Sequence, residues 1–120
     1  MPLRILIVDD HPEFRRHARR LLESDGLVVI GEAQDSASAI ARTRVLRPDV
    51  VLLDVNLPDE SGLRIVDRLC PPGSRAPAIV LTSTRAVLDL EPLLRRSRAR
   101  GFIPKDELSG SRIEALAGAA

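Results

Sequence analysis

The chain has little of several things, and each shortage narrows what it can be. Cys70 is the only cysteine, so no internal disulfide can form, and a reducing cytoplasmic setting is the expectation. No apolar stretch runs past strand length. Ile5 to Val8 and Val50 to Leu53 are typical, far short of the roughly 20 residues that cross a bilayer. The segment Met1-Pro2-Leu3-Arg4 reaches two acids within ten residues, which is not the pattern of a secretory leader. An excess of one charge sign is missing too: 18 basic and 17 acidic residues leave a net charge of +1, which supports neither a polybasic tail nor a disordered chain. Lysine is the scarcest charged residue, occurring once, at Lys105, among seventeen arginines. A compact ammonium and a planar guanidinium fork differ most where a small oxyanion must be reached in a crowded site.

What is present reads as one globular domain over residues 1–120. Arg4-Ile5-Leu6-Ile7-Val8 is a continuous β-branched run that gives way to Asp9-Asp10-His11-Pro12, where proline suits the first turn of a helix. From Phe14, the positions Phe14, Ala18, Leu21 and Leu22 share one helical face and Arg15, Arg16, Arg19 and Arg20 the other, with Gly26 as C-cap. Leu27 to Ile30 is a second strand, and Asp35 or Ser36 caps a helix that Pro48 closes. Val50 to Leu53 is apolar at every position, which predicts a strand covered by helices on both faces. It ends in Asp54. A helix carrying Leu63, Val66 and Leu69 follows the loop Val55 to Ser61 and stops at Pro71-Pro72-Gly73. Ala78 to Leu81 is a fourth strand ending at Thr82, and Ser83 to Leu88 is loop. A short helix capped at Asp89 tolerates Pro92 in its first turn. Phe102 and Ile103 form a fifth strand, and Leu108 to Ala117 a last helix broken early by Gly110.

Five strand-then-helix units imply a doubly wound α/β fold around a five-stranded parallel sheet, a (βα)5 sandwich of the flavodoxin type. In such sheets the chemistry gathers at the carboxyl ends of the strands. Asp9 and Asp10, Asp54, Thr82 and Lys105 follow four of the five strands. Each has a plainer alternative: helix cap for Asp9 or Asp10, turn residue for Asp54, strand end for Thr82. Together, three carboxylates at one sheet edge repel one another unless cations sit among them. That donor set suits a hard cation such as Mg²⁺ rather than zinc, with His11 facing solvent near a helix start. A divalent ion on Asp9, Asp10 and Asp54, with Lys105 and the Thr82 hydroxyl, describes a phosphoryl-transfer site in which Asp54 is the nucleophile.

The stretches ILIVDDHPEFR, PDVVLLDVNLP, VLTST and GFIPKDEL resemble, in order and spacing, the receiver domain of two-component response regulators over nearly the whole chain. The stretches DDHPEFR and GEAQDSASAI look most like receivers that precede a LuxR-type helix-turn-helix domain. The resemblance implies that Asp54 is the phosphoacceptor, that Asp9 and Asp10 form the acidic pocket with Asp10 the more direct Mg²⁺ ligand, and that Asn56 supplies a backbone carbonyl. It implies that Thr82 and Lys105 contact the phosphoryl group and that Phe102 is the aromatic switch, acting through packing because it lacks a hydroxyl. Asn56 and Thr84 would tune dephosphorylation. The loop Asn56 to Gly62 keeps the expected proline and glycine but places two acids, Asp59 and Glu60, near the pocket mouth.

The implied partners are a sensor histidine kinase or phosphotransfer protein, and an output domain or partner reached through the fourth helix, fifth strand and fifth helix. A homodimer stays open, and neither a membrane nor direct nucleic-acid contact is expected. Arg95, Arg96, Arg98 and Arg100 read as a solvated helix face. The chain is then a phosphoacceptor with self-phosphorylation and self-dephosphorylation chemistry rather than an enzyme. Two rivals stand beside it: a pseudo-receiver that binds partners without phosphorylation, and a phosphotransferase of the haloacid dehalogenase type. Against the latter, Asn56 stands where a second aspartate is usual, and 120 residues leave no room for a cap domain.

Overall fold

The computed structural model describes residues 2–70, 76–84 and 91–117. Five strands, β1 (Arg4–Val8), β2 (Val28–Ala33), β3 (Val50–Asp54), β4 (Ala78–Ser83) and β5 (Gly101–Pro104), form one sheet in the order β2-β1-β3-β4-β5. Every pairing is parallel. The helices are α1 (Pro12–Ser24), α2 (Ser36–Leu46), α3 (Gly62–Leu69), α4 (Glu91–Arg96) and α5 (Gly110–Leu116), with a 3-10 turn at Lys105–Glu107. No helix among the described residues is long and apolar enough to cross a membrane.

Strand alternation divides the core into two layers. Leu6, Val8, Val51, Leu53, Ile79 and Leu81 pack against Ala39 of α2 and Ile65, Val66 and Leu69 of α3. Ile5, Ile7, Val50, Leu52, Val80 and Ile103 pack against Ala18 and Leu22 of α1 and Ile113 of α5. The unbroken apolar run of β3 is therefore buried on both faces, as its sequence predicts. The strand order reverses between β1 and β3, so the ends of these two strands flank the switch point where such sheets bind ligands.

Local signals fix most boundaries. Pro12 opens α1 after an extended His11, and Asp35, not Ser36, caps α2, in a reciprocal box with Ser38. Arg47 closes α2 at φ 49°, an unusual left-handed position for a residue with a side chain. The Arg4 guanidinium supports it by donating to the carbonyls of Arg47 at 2.8 Å and Leu46 at 3.0 Å.

Several expectations need correction. Strand β2 runs three residues past Ile30 because Gly31, Glu32 and Ala33 pair with Leu6, Ile7 and Val8 of β1, and Arg15 and Arg19 from α1 hold Glu32 there. Gly110 does not break the last helix but begins it, after the Ser109 cap. Its backbone N–H donates to Asp25 Oδ2 at 2.7 Å, and a Cβ there would meet Asp25 Cβ at 2.5 Å and Leu27 Cδ1 at 2.7 Å. The glycine serves close approach between α5 and the end of α1. The four arginines do not share a helix face: Arg95 and Arg96 end α4, whereas Arg98 lies beyond it and donates to the Cys70 carbonyl at the end of α3. The Asp89 cap lies outside the described residues, while Pro92 does fall in the first turn of α4.

Candidate functional site

Strand register carries the candidate residues to one edge. Val8 pairs with Leu53 and Asp54 with Thr82, so Asp9, Asp54 and Thr82 stand at neighbouring strand ends. Pro104 pairs with Ser83, and Lys105 begins the 3-10 turn immediately after it. The Asp9 N–H donates to the Ala33 carbonyl and the Val55 N–H to the Thr82 carbonyl, each at 3.0 Å, which extends the ladder past the named strands. Gly62 lets α3 start hard against this edge, since a Cβ on it would stand 2.2 Å from the Asp54 carbonyl oxygen.

Asp9, Asp54 and Thr82 are 0%, 1% and 0% exposed. The Lys105 ammonium joins the two acids, 2.7 Å from Asp9 Oδ2 and 3.3 Å from Asp54 Oδ2. The same Nζ stands 4.5 Å above the ring of Phe14. That is a cation–π contact the sequence did not announce, because helix periodicity assigned Phe14 only to an apolar face. Burial, above all, pushes the Asp54 carboxyl up to about 6; the Asn56 backbone N–H works against the rise, the Asp9 charge adds to it, and Lys105 opposes it. Burial also works against the Lys105 charge, yet the hydrogen bond to Asp9 and the charges of Asp54 and Asp9 hold its pKa above the ordinary lysine value.

Around this centre, Asn56 donates its backbone N–H to Asp54 Oδ1 at 3.0 Å and its side-chain amide to Ser83 Oγ at 3.3 Å. Thr84 is exposed just beyond β4. Phe102 is half-buried on β5 and packs against the α2–α3 side of the core. The buried Thr82 hydroxyl has no hydrogen-bond partner among the described residues. A polar group so placed is costly unless something else engages it.

Two further features lay beyond sequence reasoning. Arg15 reaches from α1 to the Asp9 carbonyl at 2.5 Å while its Nε holds Glu32 at 2.9 Å. Asp59 and Glu60 do not crowd the pocket mouth: Asp59 accepts from Ser36 N at 2.9 Å, from the Ser36 hydroxyl and from Ala37 N at 3.3 Å, and Glu60 pairs with Arg68. Those bonds, the Ser36 hydroxyl foremost, hold the Asp59 carboxyl down at about 2. Adjacent acids in a loop read alike in sequence, and their partners decide where they point.

The donors fit a divalent cation. Ligand atoms of Asp9, Asp10, His11 and Asp54 all lie within 4.8 Å of one another, and carboxylate oxygens are what a hard ion such as Mg²⁺ takes. The arrangement brings together buried acids, a cation between two of them and an unengaged hydroxyl at the switch point of a parallel sheet.

Fold and site together are those of a signalling receiver, and the chain belongs to the response regulator receiver domain family, whose model matches residues 5–116. It is 41% identical to the nitrate/nitrite response regulator protein NarP of Escherichia coli (strain K12) over 116 residues, which are 96% of this chain and 54% of NarP. Its identity to the nitrate/nitrite response regulator protein NarL of the same strain is 32% over 116 residues, 96% of this chain and 53% of NarL. A two-component response regulator of the LuxR family from Aurantimonas sp. SI85-9A1 superposes with a TM-score of 0.85 at 28% identity, covering 98% of this chain and 87% of that one. The chain thus spans about half the length of the curated relatives it matches.

Proposed function

We propose that this receiver is a phosphoacceptor switch in which Asp54 takes a phosphoryl group from a phosphohistidine on a sensor histidine kinase or phosphotransfer protein. The observation that carries the reading is the buried Asp54 at a strand end with the Lys105 ammonium held between it and Asp9. An Asp54 oxygen attacks phosphorus, a P–O bond forms, the P–N bond breaks, and its electron pair leaves with the donor imidazole, which takes up a proton. Asp9, Asp10, Asp54 and the backbone carbonyl of Asn56 would hold Mg²⁺, with Asp10 the more direct ligand, and the ion would neutralise charge on the phosphoryl oxygens.

Lys105 then exchanges part of its contact with Asp54 for a phosphoryl oxygen, and the Thr82 hydroxyl turns to another, which gives it the partner it otherwise lacks. Phe102 repacks toward the space Thr82 vacates and carries the change to the surface of α4, β5 and α5. Output is a change of partner binding at that surface, toward an output domain of the same regulator or a separate protein, with self-association as one form. Asn56 and Thr84 set the rate at which water resets the switch. Residues 1–120 act as one receiver unit in the cytoplasm, without direct nucleic-acid contact.

The test is label from a phosphohistidine donor or acetyl phosphate in the presence of Mg²⁺. Wild-type protein takes up acid-stable, base-labile label and Asp54→Asn takes up none; label on Asp54→Asn removes the assignment.

A further inference from the structure

His11 faces solvent and its backbone opens α1, as its sequence predicts. Its ring also reaches the acidic pair. Nδ1 stands 3.1 Å from Asp9 Oδ1 and 3.1 Å from Asp10 Oδ1 at once. One ring nitrogen carries at most one proton, so it cannot make a good hydrogen bond to two carboxylates together. What two carboxylate oxygens and an imidazole nitrogen at that spacing do match is a shared ion. Two neighbouring ligands at right angles on a metal with bonds of about 2.1 Å sit about 3.0 Å apart. Asp54 completes the group, all four donors lying within 4.8 Å of one another.

The two acids are not equally available. Asp9 Oδ1 also accepts the His11 backbone N–H at 2.8 Å, and its Oδ2 holds Lys105 at 2.7 Å. Asp54 is engaged alike, by the Asn56 N–H at 3.0 Å and Lys105 at 3.3 Å, so Asp10, a third exposed, and His11 are the donors with the fewest competing contacts. The His11 side chain is 66% exposed, which leaves its ring free to make the short approach that coordination needs.

Resting on the reading of this pocket as a cation site, we propose that His11 is a metal ligand and shifts the site's preference from Mg²⁺ toward first-row cations that accept imidazole, of the Mn²⁺ to Co²⁺ kind. Carboxylates alone suit Mg²⁺, whereas imidazole adds affinity for the later ions and little for Mg²⁺.

The test is calorimetric titration of the whole chain at pH 8 with Co²⁺ and with Mg²⁺, for wild type, His11→Ala, His11→Gln, and His17→Gln as the control for unspecific imidazole binding. Both His11 variants are expected to lose about tenfold more affinity for Co²⁺ than for Mg²⁺. With Mn²⁺ bound, the nitrogen modulation of the electron spin echo from a coordinated imidazole disappears in both, and His17→Gln retains it. Far-UV circular dichroism of each variant establishes that it is folded. An unchanged Co²⁺-to-Mg²⁺ affinity ratio in both His11 variants overturns ligation by His11 and leaves the cation site standing. Absence of any divalent binding, or binding unaffected by Asp10→Asn, overturns the cation site itself.

Discussion

The cost of keeping Asp54 ionised in a buried position can be measured by removing its charge. Its carboxyl is pushed up from 3.8 to about 6, with burial the largest cause. A group whose folded value is raised favours the folded state below its unfolded value, and that contribution is lost as pH rises through the folded value. Without divalent ions, the wild type therefore loses stability from this group between about pH 4 and pH 7. Two pK units are worth about 3 kcal/mol at 1.36 kcal/mol per unit; water at the open edge and the nearby ammonium reduce this to about 2 kcal/mol. Asp54→Asn carries no such charge. In EDTA, the variant is expected to match wild type near pH 4 and to exceed it by about 2 kcal/mol at pH 7.5. The remaining carboxylates are present in both proteins, so the difference reports Asp54 together with its coupling to Asp9 and Lys105. With neither tryptophan nor tyrosine in the chain, urea unfolding is followed by circular dichroism at 222 nm. Mg²⁺ works the other way: at ten times its Kd it adds about 1.4 kcal/mol to wild type, and less to the variant. Parallel stability curves from pH 4 to 7.5, or a wild type more stable than the variant in EDTA, would refute the reasoning.

Lys105→Arg keeps the charge, but a planar fork cannot reproduce one nitrogen 2.7 Å from Asp9, 3.3 Å from Asp54 and 4.5 Å above Phe14. The variant is expected to fold and to take up phosphoryl label, yet to lose the phosphorylation-dependent NMR shifts around Phe102; wild-type shifts would return the lysine to an accident of composition. Gly110→Ala drives a methyl into Asp25 and Leu27 and should cost about 1–3 kcal/mol, seen as a lower urea midpoint with an unchanged slope. Asp59→Ala frees the start of α2, and its melting temperature should fall below wild type at pH 7; because the Asp59 carboxyl sits at about 2, that deficit persists at pH 5 and fades only as pH drops through the range from 4 to 2.

The elements were legible where a single residue type carries the signal locally. The apolar run Val50 to Leu53 announced a strand buried on both faces, and the acids and threonine at strand ends announced one edge. What escaped depends on partners far away in sequence. The end of β2 is set by pairing of Gly31 to Ala33 with β1, and Glu32 there finds Arg15 and Arg19 from α1. Gly110 reads as a helix breaker until Asp25, 85 residues earlier, is seen to occupy the space of its missing side chain. Asp59 and Glu60 look like additions to an acidic pocket, but one is bonded to the first residues of α2 and the other to Arg68. Periodicity ranks positions by face and leaves open which charge meets which.

The same distinction explains why one lysine stands among seventeen arginines. Asp9, Asp10 and Asp54 carry three formal negative charges at the sheet edge when ionised, and Lys105 supplies one positive charge, which leaves a deficit a single divalent ion would close. Arg15, which bonds to this edge, touches the Asp9 carbonyl and, among the described residues, none of the three pocket carboxylates. Its wide fork serves the rim, where it spans Asp9 and Glu32. Between the acids the space is bounded by Asp9 and Asp54 on their sides and the Phe14 ring below, and the side chain there is only 13% exposed. A thin stem ending in one ammonium takes up less of the space beside Asp54 than a planar guanidinium would, which is what the proposed ion and phosphoryl group require.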